Sequence, residues 1–512
     1  MSGHSLPGQY NAAVDLVDRH VALGRGAKVA FRDDSGALTY AAFAERVNRA
    51  GNALRALGVR MEERVLLVLE DSARFPVVFF GAIKIGAVPV PVNTLLTTED
   101  YAWLLRDSRA RALVVSAALL DRVGPALAGQ PFLEHVLVDG EPGAHERLEG
   151  LLERASPELE PAPTRPDDVA FWLYTSGSTG HYKGAIHAQS SLACTADLYG
   201  KNVLGIREDD VVYSAAKCFF AYGLGNSLTF PLSVGATTVL RRERPTVPGV
   251  FRWLAETRPT IFCGVPTLFA AMLAERELPA GGALRVATSA GEALPEEVGR
   301  RFRERTGVDI LDGLGSTEML HIYLSNHPGK VRYGTTGTPI PGYELELRDE
   351  SGARLGPGAV GDLWVSGPSA ALGYWNQREL SRRTFQGRWT RTGDHYRVDE
   401  AGYWIYQGRS DDMLKVGGIY VSPFEVEGAL VTHPAVLEVA VVGATDENDL
   451  VKPRALVVLK DAGQGSPALA EELKLHVKAR LAHYKYPRWV EFVRELPKTA
   501  TGKIQRFKLR PR

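Results

Sequence analysis

One ten-residue run, Thr175-Ser-Gly-Ser-Thr-Gly-His-Tyr-Lys183-Gly, concentrates more chemistry than any other part of this 512-residue chain. Its glycines allow close backbone approach, its hydroxyls and amides donate hydrogen bonds, and Lys183 brings the charge that phosphate oxygens attract. Thr175, Ser176, Gly177, Ser178, Thr179 and Gly180 follow an apolar stretch that reads as a buried strand, so they fall in the loop after it, where a polyphosphate can be gripped. The spacing GxxxxGK[ST] is absent, which disfavours a P-loop hydrolase. Taken alone, the run reads equally well as a flexible connector.

Further segments carry weaker chemistry of the same kind. Asp312-Gly-Leu-Gly-Ser-Thr-Glu318 sets small residues beside hydroxyls and a carboxylate suited to a base edge and a magnesium ion; its plain alternative is a turn capped by Ser316. Asp394, after Thr390-Arg-Thr-Gly, offers an acid at a tight turn, and Arg409 with Asp411 pairs a cation and an acid near a charged, glycine-ended stretch. Lys503 stands on a Gly-containing loop near the end of the chain, where lysines are commonly solvated. Phe219-Phe-Ala-Tyr-Gly-Leu-Gly-Asn226 and Ser289-Ala-Gly-Glu292 are apolar or small enough to line a slot for a flat ligand, or simply to pack a core.

These groups need a scaffold, and 45% hydrophobic with 23% charged residues permits a large folded one. Lys plus Arg and Asp plus Glu both number 60, so no global field recruits nucleic acid or a membrane surface. Cys194, Cys218 and Cys263 show no metal-site spacing and read as thiols in a reducing compartment. The first residues lack a signal pattern, and the apolar stretch Phe75 to Val92 is interrupted by Lys84, Pro89 and Pro91. A cytoplasmic protein is expected.

The scaffold reads as α/β and multidomain. Residues 1–165 alternate helical stretches with apolar runs such as Val65 to Leu69 and Ala112 to Ser116, expected as buried parallel strands. A connector with four prolines, Pro157 to Asp168, leads into a second α/β layer over 166–325, with strands near Thr237 to Leu240 and Thr260 to Cys263. From 326 to 408 the pattern turns to period two (Tyr343, Leu345, Leu347), predicting a small β-rich, barrel-like subdomain that completes an N-terminal domain over 1–408. Residues 409–415 read as a hinge, and 416–512 as a small mobile α+β domain. That domain has strands at Glu438 to Val442 and Arg454 to Leu459 and a helix carrying Leu469, Leu473, Val477 and Leu481.

In this order along the chain, the motifs resemble those of the adenylate-forming superfamily of acyl-CoA synthetases, luciferases and peptide-synthetase adenylation enzymes. The resemblance implies two half-reactions with ATP, Mg2+ and CoA. A carboxylate first displaces pyrophosphate from ATP to give an acyl-adenylate, and a thiol then displaces AMP. It implies that residues 175–180 and Lys183 hold the β- and γ-phosphates, Glu318 places magnesium and Thr317 contacts the α-phosphate. Asp312 and Gly313 would border adenine, Asp394 would bind the ribose hydroxyls, and Arg409 would add a ribose or phosphate contact. Lys503 would bridge the carboxylate and the α-phosphate. Rotation about Asp411 would then withdraw it and open a CoA tunnel near Gly417 and Gly418. Tyr182 departs from the family pattern, which has proline there, so the loop is expected to be less rigid.

Within the superfamily the likeness is greatest to the benzoate, 2-aminobenzoate (anthranilate) and 4-hydroxybenzoate CoA ligases. It is carried by Phe171-Trp-Leu-Tyr174, Leu198-Tyr-Gly-Lys-Asn-Val203, Phe219 to Asn226 and Met319-Leu-His-Ile322. The implied substrates are a small aromatic carboxylic acid, ATP and CoA. Phe220 would act as a gate, and Ala221, Tyr222, Gly291, Gly313, His321 and Ile322 would line the slot. Tyr222 would reach the carboxylate, and His321 would read an ortho substituent or cap a helix. The likeness also suggests a homodimer, with a downstream acyl-acceptor enzyme as a further partner. The runner-up is a free-standing adenylation enzyme that loads a carrier protein, disfavoured because no carrier segment follows Lys503. An inactive nucleotide-binding regulator is disfavoured because Lys183, Glu318, Asp394, Arg409 and Lys503 are all present.

Overall fold

Short apolar runs separated by amphipathic stretches produce two parallel sheets in the first of two compact units. The computed structural model describes residues 8–176, 182–276, 282–409, 412–416, 419–447, 450–481, 485–498 and 504–510. By contacts, one unit comprises Met1–Tyr333, Gly337–Glu344 and Val365–Thr390, and the other Gly334–Thr336, Leu345–Trp364 and Arg391–Arg512.

In the first unit, the runs around Leu66 and Val114 form strands Arg64–Val68 and Ala112–Ser116, paired in parallel. They belong to a five-stranded parallel sheet ordered Val88–Pro91, Arg64–Val68, Ala112–Ser116, His135–Asp139, Glu146–Arg147. Pro89 and Pro91 are tolerated because their strand is at the sheet edge, where a missing N–H breaks no ladder. The apolar stretch before them is helix Arg74–Lys84, whose buried terminal lysine ion-pairs with Asp18 at 2.6 Å. Among the described residues no helix is long and apolar enough to cross a membrane.

The larger sheet has nine strands: Thr338–Pro339, Ile322–Ser325, Ile310–Gly315, Val286–Ala290, Ile261–Gly264, Val211–Ser214, Thr237–Val239, Val29–Asp33, Gly36–Thr39. The six from Ile310–Gly315 to Val29–Asp33 run parallel. Two features differ from the expected layering. Val29–Asp33 and Gly36–Thr39 come from the first layer's sequence yet pair into this sheet, with Phe31 opposite Thr238; local periodicity identifies a strand but not its partner. Val169–Ser176 joins neither parallel sheet. It forms an antiparallel hairpin with Tyr182–Ala188, flanked by Gly373–Tyr374.

Edge-to-face contacts from Phe43 through Phe80 and Phe79 to Phe171 fix this hairpin's first strand on the core. Three strands of the larger sheet end where the site segments begin. Val211–Ser214 leads to Phe220–Tyr222, Val286–Ala290 to Gly291, and Ile310–Gly315 to Thr317 and Glu318.

In the second unit the period-two stretch is strand Glu344–Arg348, in one sheet with Val360–Ser366, Trp389–Val398 and Trp404–Arg409. Residues 326–408 are thus shared between the two units. Further on, Val436–Thr445, Val451–Leu459 and Trp489–Phe492 form a three-stranded sheet. Leu473 and Val477 of helix Pro467–Lys478 pack against its Val439, Val441 and Val457. The helix stops at Lys478, so Leu481 reaches the same core from beyond its end.

Candidate active site

The hairpin Val169–Ser176/Tyr182–Ala188 carries the described residues expected to bind phosphate. Its ladder pairs Tyr174 with Gly184, Thr175 with Lys183 and Ser176 with Tyr182, so Lys183 stands on a strand instead of on the expected loop. Gly177, Ser178, Thr179 and Gly180 lie outside the described residues, as do Asp411, Gly417, Gly418 and Lys503. Tyr182, where less rigidity was expected, is tied down. Its ring lies against Trp103 at 5.9 Å, its phenol is near enough to the Asp100 carboxylate to feel its charge, and its carbonyl accepts from Gln377 Nε2 at 2.9 Å. Tyr174 donates to Asp107 at 2.6 Å. Asp100, Trp103 and Asp107 share one face of helix Thr98–Ser108 at spacings of three and four, so a single helix holds both sides of the hairpin.

Glu318 approaches Lys183 from the turn Thr317–Met319, which Ser316 caps by accepting from the Met319 N–H at 3.2 Å. Lys183 Nζ is 3.6 Å from Glu318 Oε1 and 3.4 Å from the phenol oxygen of Tyr374, and that phenol donates to Glu318 Oε1 at 2.6 Å. The turn is held from below by His187, whose Nε2 donates to the Thr317 carbonyl at 2.8 Å while its ring stacks on Phe171. Burial lowers the His187 pKa to about 4, so the imidazole is neutral. Just after the turn, Leu320 takes φ +64, a backbone strain of the kind found at functional sites.

Expected nucleotide contacts cluster at the next strand ends. Asp312, buried beside Ser289 of the neighbouring strand, has an Oδ1 with no hydrogen-bond partner among the described residues, and burial pushes its carboxyl well up. An orphaned acceptor of this kind suits the exocyclic amine of adenine. A side chain on Gly313 would meet Ile322 at 2.9 Å, so the two border the same narrow space.

The slot residues adjoin it. His321 is enclosed by Tyr199, Tyr222 and Phe230, with ring centroids at 5.4, 5.6 and 4.4 Å. Its Nε2 donates to the carbonyl of Tyr222 at 3.2 Å, and burial lowers its pKa to about 3. The other nitrogen, Nδ1, has no partner among the described residues. The Tyr222 hydroxyl donates to Thr288 Oγ1 at 3.3 Å, and Thr288 also meets the Tyr199 hydroxyl at 3.0 Å. Phe220 stands edge-on to Phe219 and leads into the helix Ala221–Leu224, which continues as a π-helical turn. Gly291 has φ +95, a left-handed turn that glycine adopts without cost.

In the second unit, Asp394 and Arg409 face each other across an antiparallel pair, 3.0 Å apart. Arg409 also donates to the Thr392 carbonyl at 3.2 Å, and a side chain on Gly393 would strike its guanidinium at 2.8 Å. Among the described residues no group of three or more His, Cys, Asp or Glu could hold a metal ion. Glu318 is a carboxylate here that could help to hold a magnesium ion brought with phosphate oxygens, a donor type it commonly uses.

A model of the AMP-binding enzyme family matches residues 18–375, and one of the AMP-binding enzyme C-terminal domain matches residues 425–503. The chain belongs to the AMP-binding enzyme family. Among its relatives, benzoate–CoA ligase of Thauera aromatica is 58% identical over 99% of this chain and 96% of its own length. A solved benzoate CoA ligase from Burkholderia xenovorans LB400 is 54% identical, with a TM-score of 0.92 over 98% of this chain and all of that one. The anthranilate CoA ligase AuaEII, solved with anthranoyl-AMP, is 44% identical with a TM-score of 0.94, covering 99% of this chain and 98% of its own.

As an AMP-binding enzyme the chain has a mixed α/β multidomain fold, as read from sequence. Sequence reasoning missed His187, Tyr374 and Thr288. His187 was findable, since Lys183, Ala185 and His187 share one strand face. Tyr374 had no local signal, because strand pairing brings it across 191 positions.

Proposed function

We propose that this chain is an AMP-forming aryl-CoA ligase acting on benzoate or a substituted benzoate. The end-to-end likeness to benzoate–CoA ligases carries the proposal, because it spans the phosphate hairpin and the aromatic slot alike. In the first half-reaction a carboxylate oxygen attacks the α-phosphorus of ATP, and the bond to the β-phosphate oxygen breaks, releasing pyrophosphate and leaving aryl-AMP. In the second, the CoA thiol loses its proton and attacks the acyl carbon, and AMP departs.

We assign Lys183 and residues 175–180 to the leaving pyrophosphate and Thr317 to the α-phosphate. Asp312 and Gly313 take adenine, and Asp394 with Arg409 takes ribose. Glu318 is the carboxylate that would hold magnesium, which would supply neutralisation of charge on the triphosphate oxygens. His187 keeps this turn in register by its bond to the Thr317 carbonyl. We assign to Lys503 the charge that builds between carboxylate and α-phosphate, to Asp411 the hinge, and to Gly417 and Gly418 the passage for CoA. Phe220, Ala221, Tyr222, Gly291, His321 and Ile322 enclose the ring. The neutral His321, with its proton on Nε2, presents an acceptor at Nδ1. We infer a cytoplasmic location, which the use of ATP and CoA supports.

The test is pyrophosphate release, with mass analysis of the thioester, for benzoate and its 2-amino, 2-hydroxy and 4-hydroxy derivatives. Aryl-CoA formed with free CoA is the expected product. Loading confined to a holo carrier protein, or a preference for aliphatic acids, would overturn the proposal.

A further inference from the structure

Lys183, Glu318 and Tyr374 come from distant parts of the chain and meet beside one hairpin. Tyr374 arrives because Gly373–Tyr374 pairs with Ile186 and Ala185, and Ser381 Oγ accepts its backbone N–H at 2.9 Å. Its ring is buried with Ala185 and Ala371 and tilts against Phe385 at 5.3 Å, which fixes where the hydroxyl points. Of the three contacts, the phenol-to-carboxylate bond at 2.6 Å is the short, charge-assisted one. Lys183 stands off at 3.4 and 3.6 Å from phenol and carboxylate, the looser partner of both.

We propose that Tyr374 is a positioning residue that keeps Glu318 in place while Lys183 leaves it for phosphate, so that the carboxylate passes from the lysine to the divalent cation accompanying ATP. This rests on Glu318 being the carboxylate for that cation. Before nucleotide arrives, the ammonium group of Lys183 opposes a cation at Glu318. A triphosphate draws the lysine away and so removes that opposition at a carboxylate with 16% side-chain exposure. Without the phenol, the carboxylate would lose a 2.6 Å bond that helps to hold its rotamer. Cation and nucleotide are therefore taken up together.

The test is titration of the full chain with Mn2+, free ion being read by electron paramagnetic resonance, with and without α,β-methylene-ATP. With the analogue, Tyr374→Phe weakens Mn2+ binding about tenfold, the scale of one hydrogen bond to a charged group. Its melting temperature stays within about 2 °C of the parent because the ring packing is kept. Glu318→Gln weakens Mn2+ binding at least as much, and adding Tyr374→Phe to it changes affinity less than about twofold, because the phenol acts through that carboxylate. Unchanged affinity in Tyr374→Phe beside weakened binding in Glu318→Gln, or additive losses in the double variant, overturns the positioning role alone. Unchanged affinity in Glu318→Gln overturns the assignment beneath it. Should Tyr374→Phe fail to fold, Lys183→Met decides: Mn2+ binding without nucleotide tightens several-fold if the lysine opposes the cation, and no tightening overturns the exchange.

Discussion

Mild acid should destabilise this enzyme through His187. The imidazole is fully buried, donates from Nε2 to the Thr317 carbonyl, and has no partner for Nδ1 among the described residues. A second proton would land on Nδ1 in an apolar setting, which is why burial lowers its pKa to about 4 from the ordinary 6.5. Between those values the unfolded chain binds a proton that the native chain does not. This contribution to stability is therefore complete above about pH 6.5, falls as the pH is lowered, and levels off below about pH 4. With those two values the loss is about 2 kcal/mol at pH 5 and about 3 kcal/mol at the acid limit. His187→Gln removes the titration and keeps an amide that can donate to the same carbonyl. Urea unfolding at pH 8 and pH 5 should show a pH-dependent loss about 2 kcal/mol smaller in the variant than in the parent. His20 and His321, lowered to about 4 and about 3, add to the slope of both proteins and cancel in the comparison. Equal pH dependence in the two proteins would refute the reasoning, since it would mean that His187 takes up its proton without penalty.

Gly225→Ala places a methyl group 2.3 Å from His321 Cδ2 and 3.0 Å from Phe230 Cζ. That overpacking, about 1–3 kcal/mol, should lower kcat/KM for the aromatic acid more than about tenfold and leave KM for ATP within about twofold; equal effects on both substrates would contradict the slot assignment. Asp394→Asn breaks a pair whose arginine is 45% exposed, so little stability is lost, but KM for ATP should rise at least about tenfold if the carboxylate holds ribose. Lys503→Ala should slow aryl-adenylate formation about 10²–10³-fold while thioester formation from supplied aryl-AMP changes by less than about threefold. Equal loss in both half-reactions would contradict withdrawal of this lysine between them.

Features set by neighbours in sequence were legible, and features set by pairing partners were not. Alternation at Tyr343, Leu345 and Leu347 announced a half-buried strand, and the apolar runs around Leu66 and Val114 announced parallel ones, because burial on one face or two writes itself into local composition. The destination of Val29–Asp33 was not readable, since its partner Thr237–Val239 lies about two hundred residues on and is no more apolar than nearer choices. In the site, Lys183 and Glu318 were legible as charges beside small residues. Their geometry was not, because a loop and a hairpin strand share the same glycine-rich composition. Tyr374 and Thr288 stayed hidden for the reason that hid the strand partner: each matters only through what distant pairing sets beside it.

The carboxyl ends of the parallel strands deliver Phe220–Tyr222, Gly291 and the Thr317–Glu318 turn, while the strand interiors stay inside the core. Substrate range and thermal robustness are therefore largely separable under mutagenesis. On the proposed slot, exchanges within 219–222 or 289–292 would alter what the ring meets and leave Val212, Ile261, Ala287 and Ile310 as they are. Gly225 and Gly313 are the exceptions, since added bulk there presses on His321 and Ile322 and couples selectivity to packing. A library that randomises the connections and holds those two glycines constant should yield mostly folded variants with shifted acid preference.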